Sequence, residues 1–144
     1  MAYSGKFTPK NPNKYLGDPA NIWWRSLWER RVMVHLDENV NVIEWSNEEI
    51  IIPYLSPVDN KWHRYFPDFF ARIKNKDNML EAFILEVKPK KQAMPPKHPG
   101  RVTKRYITEV MTWGVNEAKW KAADEYCNER KWKFLVITED HLFK

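Results

Sequence analysis

An acid at position 68 and an acid–base pair at 86 and 88 sit inside apolar stretches, Phe66-Pro67-Asp68-Phe69-Phe70 and Leu85-Glu86-Val87-Lys88. Both stretches read as strand, over 62–73 and 82–88, on either side of the polar turn Lys74–Asn78. A hairpin centred on Asp77 brings Asp68 and Glu86 face to face, since each lies nine residues from the centre. Lys88 follows Glu86 by two residues and projects from the same face. Opposed like charges weaken a sheet, the more so amid Phe66, Phe70 and Ile84. A divalent cation bound by both carboxylates, with the Val87 backbone carbonyl assisting, would relieve that repulsion. Oxygen ligands favour Mg²⁺, or Mn²⁺. Such an ion can polarise a phosphodiester and activate water, and Lys88 would add a positive charge beside the attacked phosphate. The plainer reading makes Asp68 a strand-end turn residue and Glu86 with Lys88 an outward polar stripe. It does not account for two carboxylates meeting in apolar surroundings.

These residues need elements to hold them. Residues 1–21 are polar and proline-bearing and read as an extended basic N-terminal arm, with a single domain over 22–144. A helix is expected from Ser26 to Asp37: Ser26 and Glu29 have capping-box spacing, and Val32, Met33 and Leu36 form an apolar stripe. Short strands are expected at Val42–Trp45 and Ile50–Tyr54, then the hairpin. The Pro- and Lys-rich stretch 89–102 reads as a mobile loop. Two helices, 103–113 and 116–130, and a strand from Lys133 to Thr138 complete the chain. The order points to one α/β domain with a mixed central sheet flanked by helices.

Composition narrows the setting. The 144 residues carry one cysteine, which excludes a disulfide scaffold and suggests a reducing compartment. No apolar run reaches the roughly 18 residues of a membrane span, and the N-terminus lacks the apolar core of a signal peptide. The net charge of +5 is unevenly spread: residues 1–21 carry +2 and residues 87–108 carry +7, so the rest of the chain is at −4. Lys90, Lys91, Lys97, Arg101, Lys104 and Arg105, with no interleaved acid, suit a polyanion such as double-stranded DNA, the plainer reading being a solvated, solubilising loop. Such contacts would position the duplex without reading sequence. Arg64 shares Asp68's face parity on one long strand and is a further candidate for phosphate.

Other residues read as structural. His35, His63, His98 and His141 lack zinc-ligand spacing, and Cys127 reads as a small buried side chain on a helix. Trp28, Trp45, Trp113 and Trp120 are expected in the core, whereas Trp23, Trp24 and Trp62 are more open to base stacking.

Pro67-Asp68 followed by Glu86-Val87-Lys88 on the next strand resembles the PD-(D/E)XK nuclease superfamily. The resemblance implies a restriction-endonuclease-like fold in which Asp68 and Glu86 bind metal and Lys88 supports hydrolysis. It also implies a metal-site role for Glu29, on the helix before the first core strand. More closely, the chain resembles the head completion nucleases of T-even-type phages. The matching blocks include Met1–Lys6, Pro9–Asn11, Lys14-Tyr15, Gly17–Pro19, Arg25-Ser26 with Trp28-Glu29, Arg64–Phe66, Lys88–Lys91, Val115-Asn116, Lys119–Ala123 and Thr138–Asp140. That resemblance implies endo- and exonuclease activity on packaged DNA before the tail joins the filled head. It implies phage head or portal-neck proteins as partners, and the host cytoplasm or the virion as location. The chain runs only four residues beyond Asp140, which leaves little room for a further C-terminal element. Two other readings stay open: a dimeric junction-resolving or repair endonuclease of the same fold, and a non-catalytic DNA-binding head–tail connector.

Overall fold

The computed structural model describes residues 4–143, so the first three residues of the N-terminal arm lie outside the described residues. Four strands form the central sheet: β3 (Val42–Asn47), β6 (Phe69–Lys74), β7 (Leu80–Val87) and β8 (Lys133–Ile137), side by side in that order. β3–β6 and β6–β7 are antiparallel, while β8 returns parallel to β7 after a long helical crossover. The sheet is therefore mixed, as expected.

Alternation along β6 and β7 divides the core into two layers. Phe69, Ala71 and Leu85 face α1 (Leu27–Glu38), where Val32, Met33, Leu36 and the fully buried Trp45 complete one cluster. Phe70, Ala82 and Ile84 face α2 (Lys104–Arg130), against Ala123 and Cys127. A small second sheet also packs on this side, β4 (Ile52–Leu55) paired with β5 (Trp62–Tyr65), and it brings in Ile52, Tyr54 and Tyr65. Ser26 caps α1 by accepting the Glu29 N–H, as its spacing predicts.

Two expectations are corrected. The stretch 62–73 is not one strand. It breaks at Phe66-Pro67-Asp68, where Pro67 offers no N–H to a ladder, and its halves join different sheets. Nor are there two helices after the loop. α2 runs unbroken for 27 residues, because a single Gly114 weakens a helix without ending it; a side-chain β-carbon at that position would come 3.7 Å from the Pro57 ring. The stretch 89–102 is irregular apart from one 3-10 turn, Lys90–Ala93.

The N-terminal segment is mostly irregular but closely applied to the body. Two residues, Gly5–Lys6 (β1), pair with Trp23–Trp24 (β2), and Phe7, Tyr15 and Ile22 are buried in the α1 cluster. Its anchor is Asp37 in the last turn of α1, a carboxylate only 1% exposed. Asp37 accepts the backbone N–H groups of Lys10 (2.8 Å) and Asn11 (3.1 Å). The Lys14 ammonium donates to the carbonyls of Asp37 and Asn39, which places a cation at the negative end of the α1 dipole. Asp37→Ala would leave two backbone donors without their acceptor. It should cost about 2–4 kcal/mol in chemical denaturation and speed amide exchange over residues 5–15. Unchanged stability and exchange would show that the segment is held by other contacts.

Candidate active site

The β6–β7 ladder pairs Phe69 with Leu85 and Phe70 with Ile84. Continued one step, that register sets Asp68 opposite Glu86. Asp68 is held at both ends. Its backbone carbonyl accepts the Asn47 side-chain amide (2.9 Å) and the Glu48 N–H (3.1 Å), and its Oδ2 accepts the Val87 N–H at 2.7 Å. Asn47 is itself fixed from the N-terminal segment, its N–H donating to the Tyr15 hydroxyl at 3.1 Å.

Glu86 is buried, and its Oε1 accepts the hydroxyl of the equally buried Tyr65 at 2.8 Å. The Lys88 ammonium lies 3.8 Å from the other oxygen, Oε2. Lys119, one turn beyond Asn116 on α2, places its ammonium 5.6 Å from the Tyr65 ring and adds positive charge toward Glu86. Neither Tyr65 nor Lys119 was legible as a site residue. Read as one strand through position 73, the sequence turns Tyr65 away from Asp68 and Arg64 toward it. The break at Pro67 reverses this. Tyr65 reaches Glu86, while Arg64 is exposed on the other side of β5 with its guanidinium 5.8 Å from the Phe66 ring. A tyrosine two residues before a proline that itself precedes the acid is the one signal that could have pointed to Tyr65.

The electrostatics follow from burial. Asp68 is pushed up to about 8, first by desolvation and next by the charge of Glu86, with Glu29 adding to it; the Val87 N–H and Lys88 pull the other way. Glu86 is also raised by desolvation, against the opposing pull of the Tyr65 hydroxyl, Lys88 and Lys119. Tyr65 is driven well above its ordinary value by burial and then by Glu86, so it stays a hydrogen-bond donor. Glu29 is raised chiefly by burial, and the nearby Glu48 pushes in the same direction.

Glu29 lies near the pair but is engaged at the start of α1, where its carboxylate accepts the Arg25 N–H (3.3 Å) and the Ser26 hydroxyl (3.4 Å). Among the described residues, no three His, Cys, Asp or Glu side chains converge as one ligand cluster. The basic residues after Lys88 divide. Lys90 is tied to α3 (Glu139–Leu142), its ammonium 3.0 Å from Asp140 and its N–H donating to Glu139. Arg105 pairs with Glu109 at 3.0 Å, whereas Lys91, Lys97, Arg101 and Lys104 are exposed. His63 pairs with Asp59 at 2.7 Å, away from the carboxylates, and Cys127 is buried with its thiol pushed up to about 11 by desolvation. Trp45 is core, but Trp113, expected there, is only half-buried and lies on the wall of a surface cleft.

A mixed sheet with helices on both faces, and a carboxylate pair with a lysine at the end of its central hairpin, is the restriction-endonuclease-like class of nuclease. The chain belongs to the TnsA-like endonuclease family, whose N-terminal domain matches residues 39–139. Over its whole length it is similar to the head completion nuclease of Enterobacteria phage T4, at 44% identity over 146 residues that cover 99% of this chain and 95% of that protein. The nuclease class expected from Asp68, Glu86 and Lys88 is thus the class of the family.

A raised carboxyl pKa has a definite consequence for stability. Between about pH 4, where Asp68 ionises in the unfolded chain, and about pH 8, the folded chain holds a proton that the unfolded chain has released. Metal-free protein should therefore lose stability as pH rises through that window. Asp68→Asn removes the ionisation while keeping an oxygen for the Val87 N–H. In chelator at pH 8.5 it should melt roughly 3–8 °C higher than the parent, equivalent to about 1–2 kcal/mol, with the difference shrinking toward pH 4. Parallel melting curves across this range would show that Asp68 carries no such penalty.

Proposed function

We propose that this chain is a divalent-metal-dependent DNA nuclease that acts in phage head completion, on packaged DNA before the head and tail join. The observation that carries the reading is the Asp68–Glu86 pair: desolvation raises both carboxyls, the charge of Glu86 raises Asp68 further, and one oxygen of each is held by a hydrogen bond. The head-completion role follows the full-length similarity to the phage T4 protein. It implies work in the host cytoplasm during assembly and contact with head or portal-neck proteins. No helix among the described residues is long and apolar enough to cross a membrane.

The donor set fits a small hard cation. Val87 N–H occupies Asp68 Oδ2 and Tyr65 occupies Glu86 Oε1, which leaves Asp68 Oδ1 and Glu86 Oε2 for Mg²⁺ or Mn²⁺. Val87 can add its carbonyl, since the N–H and C=O of a strand residue point to the same side. When bound, the ion would polarise the phosphodiester and lower the pKa of a water. Glu29 would complete the acidic set from the α1 side, where its charge already acts on Asp68.

Hydrolysis forms a phosphorus–oxygen bond to water and breaks the one to the leaving sugar oxygen, which then takes up a proton. Lys88, half-buried and 3.8 Å from Glu86, is the cation placed to hold the attacking water or offset charge on the phosphate. Tyr65 and Lys119 act one layer out: the hydroxyl fixes the rotamer of Glu86, and the ammonium moderates the charge behind it. The loop and helix cations, Lys90, Lys91, Lys97, Arg101, Lys104 and Arg105, with Arg64 on β5, grip phosphates of the duplex.

Linear and circular duplex DNA should both be cut with Mg²⁺ and spared with chelator. Asp68→Asn, Glu86→Gln and Lys88→Met should each lower the rate at least about 100-fold while keeping the far-UV circular dichroism of the parent. Cutting by Asp68→Asn at the parent rate would sink the nuclease assignment and leave a DNA-binding connector. Tyr65→Phe should cost less, about 10-fold, and weaken Mg²⁺ binding measured by calorimetry. Unaltered metal affinity would mean that Glu86 is held by its strand alone.

A further inference from the structure

Beyond Lys88 lies a cleft that the carboxylate chemistry does not use. One wall is the loop after β7, with Lys91, Met94 and Lys97, and the other is the first half of α2, with Arg105, Trp113 and Asn116. Its volume is about 760 Å³. That is room for a ligand of nucleotide size, not for a double helix.

Both walls lead toward the active site along the chain. The loop wall follows directly from Lys88. On the helix wall, Arg105, Glu109, Thr112, Asn116 and Lys119 recur at alternating intervals of four and three residues, so they share one face of α2. That stripe spans about 21 Å. It ends at Lys119, whose charge acts on Glu86 and whose ammonium lies 5.6 Å from the Tyr65 ring. The cleft is therefore a lateral extension of the carboxylate site.

Its charge suits a polyanion. Lys91, Lys97 and Arg105 line it, and Glu109, the one acid on its walls, is paired with Arg105 at 3.0 Å. The first turn of α2 holds no acid, and its first two residues are Lys104 and Arg105. A helix dipole disfavours that arrangement unless negative charge arrives from outside.

The remaining lining is suited to bases. Trp113 is half-buried, braced edge-on by Trp120 at 5.9 Å between ring centroids, and Met94 is 51% exposed across from it. The amide of Asn116 lies beside them. Cations along a groove together with a fixed aromatic surface are the means by which proteins hold single strands without reading their sequence.

We propose that this cleft holds a single-stranded DNA segment continuous with the strand at the carboxylate pair, so that the protein favours duplex ends bearing a single-stranded extension over blunt duplex. The inference rests on the nuclease reading, because it takes DNA as the polyanion. Fluorescence anisotropy of the full chain in chelator, with one labelled duplex made blunt or extended by a thymidine tail of several nucleotides, tests it. The tailed duplex should bind about tenfold more tightly. With three cations in the cleft, the slope of log affinity against log salt should be steeper by about 2 for the tailed form.

Trp113→Ala, and separately Met94→Glu on the exposed loop, should each bring the ratio of tailed to blunt affinity close to 1 in protein that keeps the parent's circular dichroism. Met94→Glu guards against a packing defect at Trp113, since Met94 is 51% exposed and belongs to none of the core clusters. Equal affinity of the parent for both duplexes, or a tail preference that persists in either folded variant, overturns the proposal. Mg²⁺-dependent cutting of blunt duplex by the same preparation reports on the nuclease reading separately. Cutting without a tail preference removes only the cleft assignment, and a tail preference without cutting removes only the nuclease.

Discussion

Two carboxylates held against each other in a mostly apolar interior set the terms for the rest of this molecule. Burial works against ionisation of Asp68 and Glu86 alike, the charge of Glu86 adds to it at Asp68, and the surroundings meet one oxygen of Asp68 and both oxygens of Glu86. A backbone N–H meets Asp68, the Tyr65 hydroxyl meets Glu86, the Lys88 ammonium lies 3.8 Å from it, and Lys119 adds positive charge toward it. No one of these contacts offsets the desolvation alone, so the carboxyl of Asp68 stays raised. Strain of this kind persists only where the surrounding structure enforces it. Here the enforcement is the antiparallel register of β6 and β7, supported by apolar layers on both faces of the sheet.

The site also depends on parts of the chain that carry no chemistry. Asp68 follows a proline that ends one strand, so its backbone would be poorly defined without Asn47 and Glu48 on its carbonyl. Asn47 is held by Tyr15, Tyr15 belongs to the N-terminal segment, and that segment is anchored on Asp37. A line of hydrogen bonds and packed rings thus links the end of α1 to the backbone of a site carboxylate. The same segment uses Lys14 on the end of α1, so part of its positive charge serves structure rather than a polyanion.

The division of charge gains meaning from this arrangement. An acidic body with a basic loop leading out of Lys88 puts repulsion for phosphate at the carboxylates and attraction at the rim. A cation held by the carboxylates would resolve the conflict, because it turns the repulsive centre into the most attractive point of the surface. Family membership and the similarity to the phage T4 protein agree with a molecule organised to bring DNA to that point.

Much of this was legible in the sequence where the determinants are local. The facing of Asp68 and Glu86 follows from strand alternation about a short polar turn, the cap of α1 from the spacing of Ser26 and Glu29, and the placement of Lys88 from a two-residue step along a strand. Those relations depend only on repeat geometry over a few residues. Tyr65, Lys119 and the exposure of Trp113 were decided by tertiary structure. Tyr65 reaches Glu86 because Pro67 moves the chain from one sheet to another, which no count of residues along a single strand reveals. Lys119 and Trp113 lie on a helix that runs unbroken through Gly114, so their common face follows from a continuity that the glycine obscures in the sequence. Like the fit of the N-terminal segment, they are fixed by contacts between segments far apart in the chain. There the free energy of packing, not the local preference of the backbone, selects the conformation.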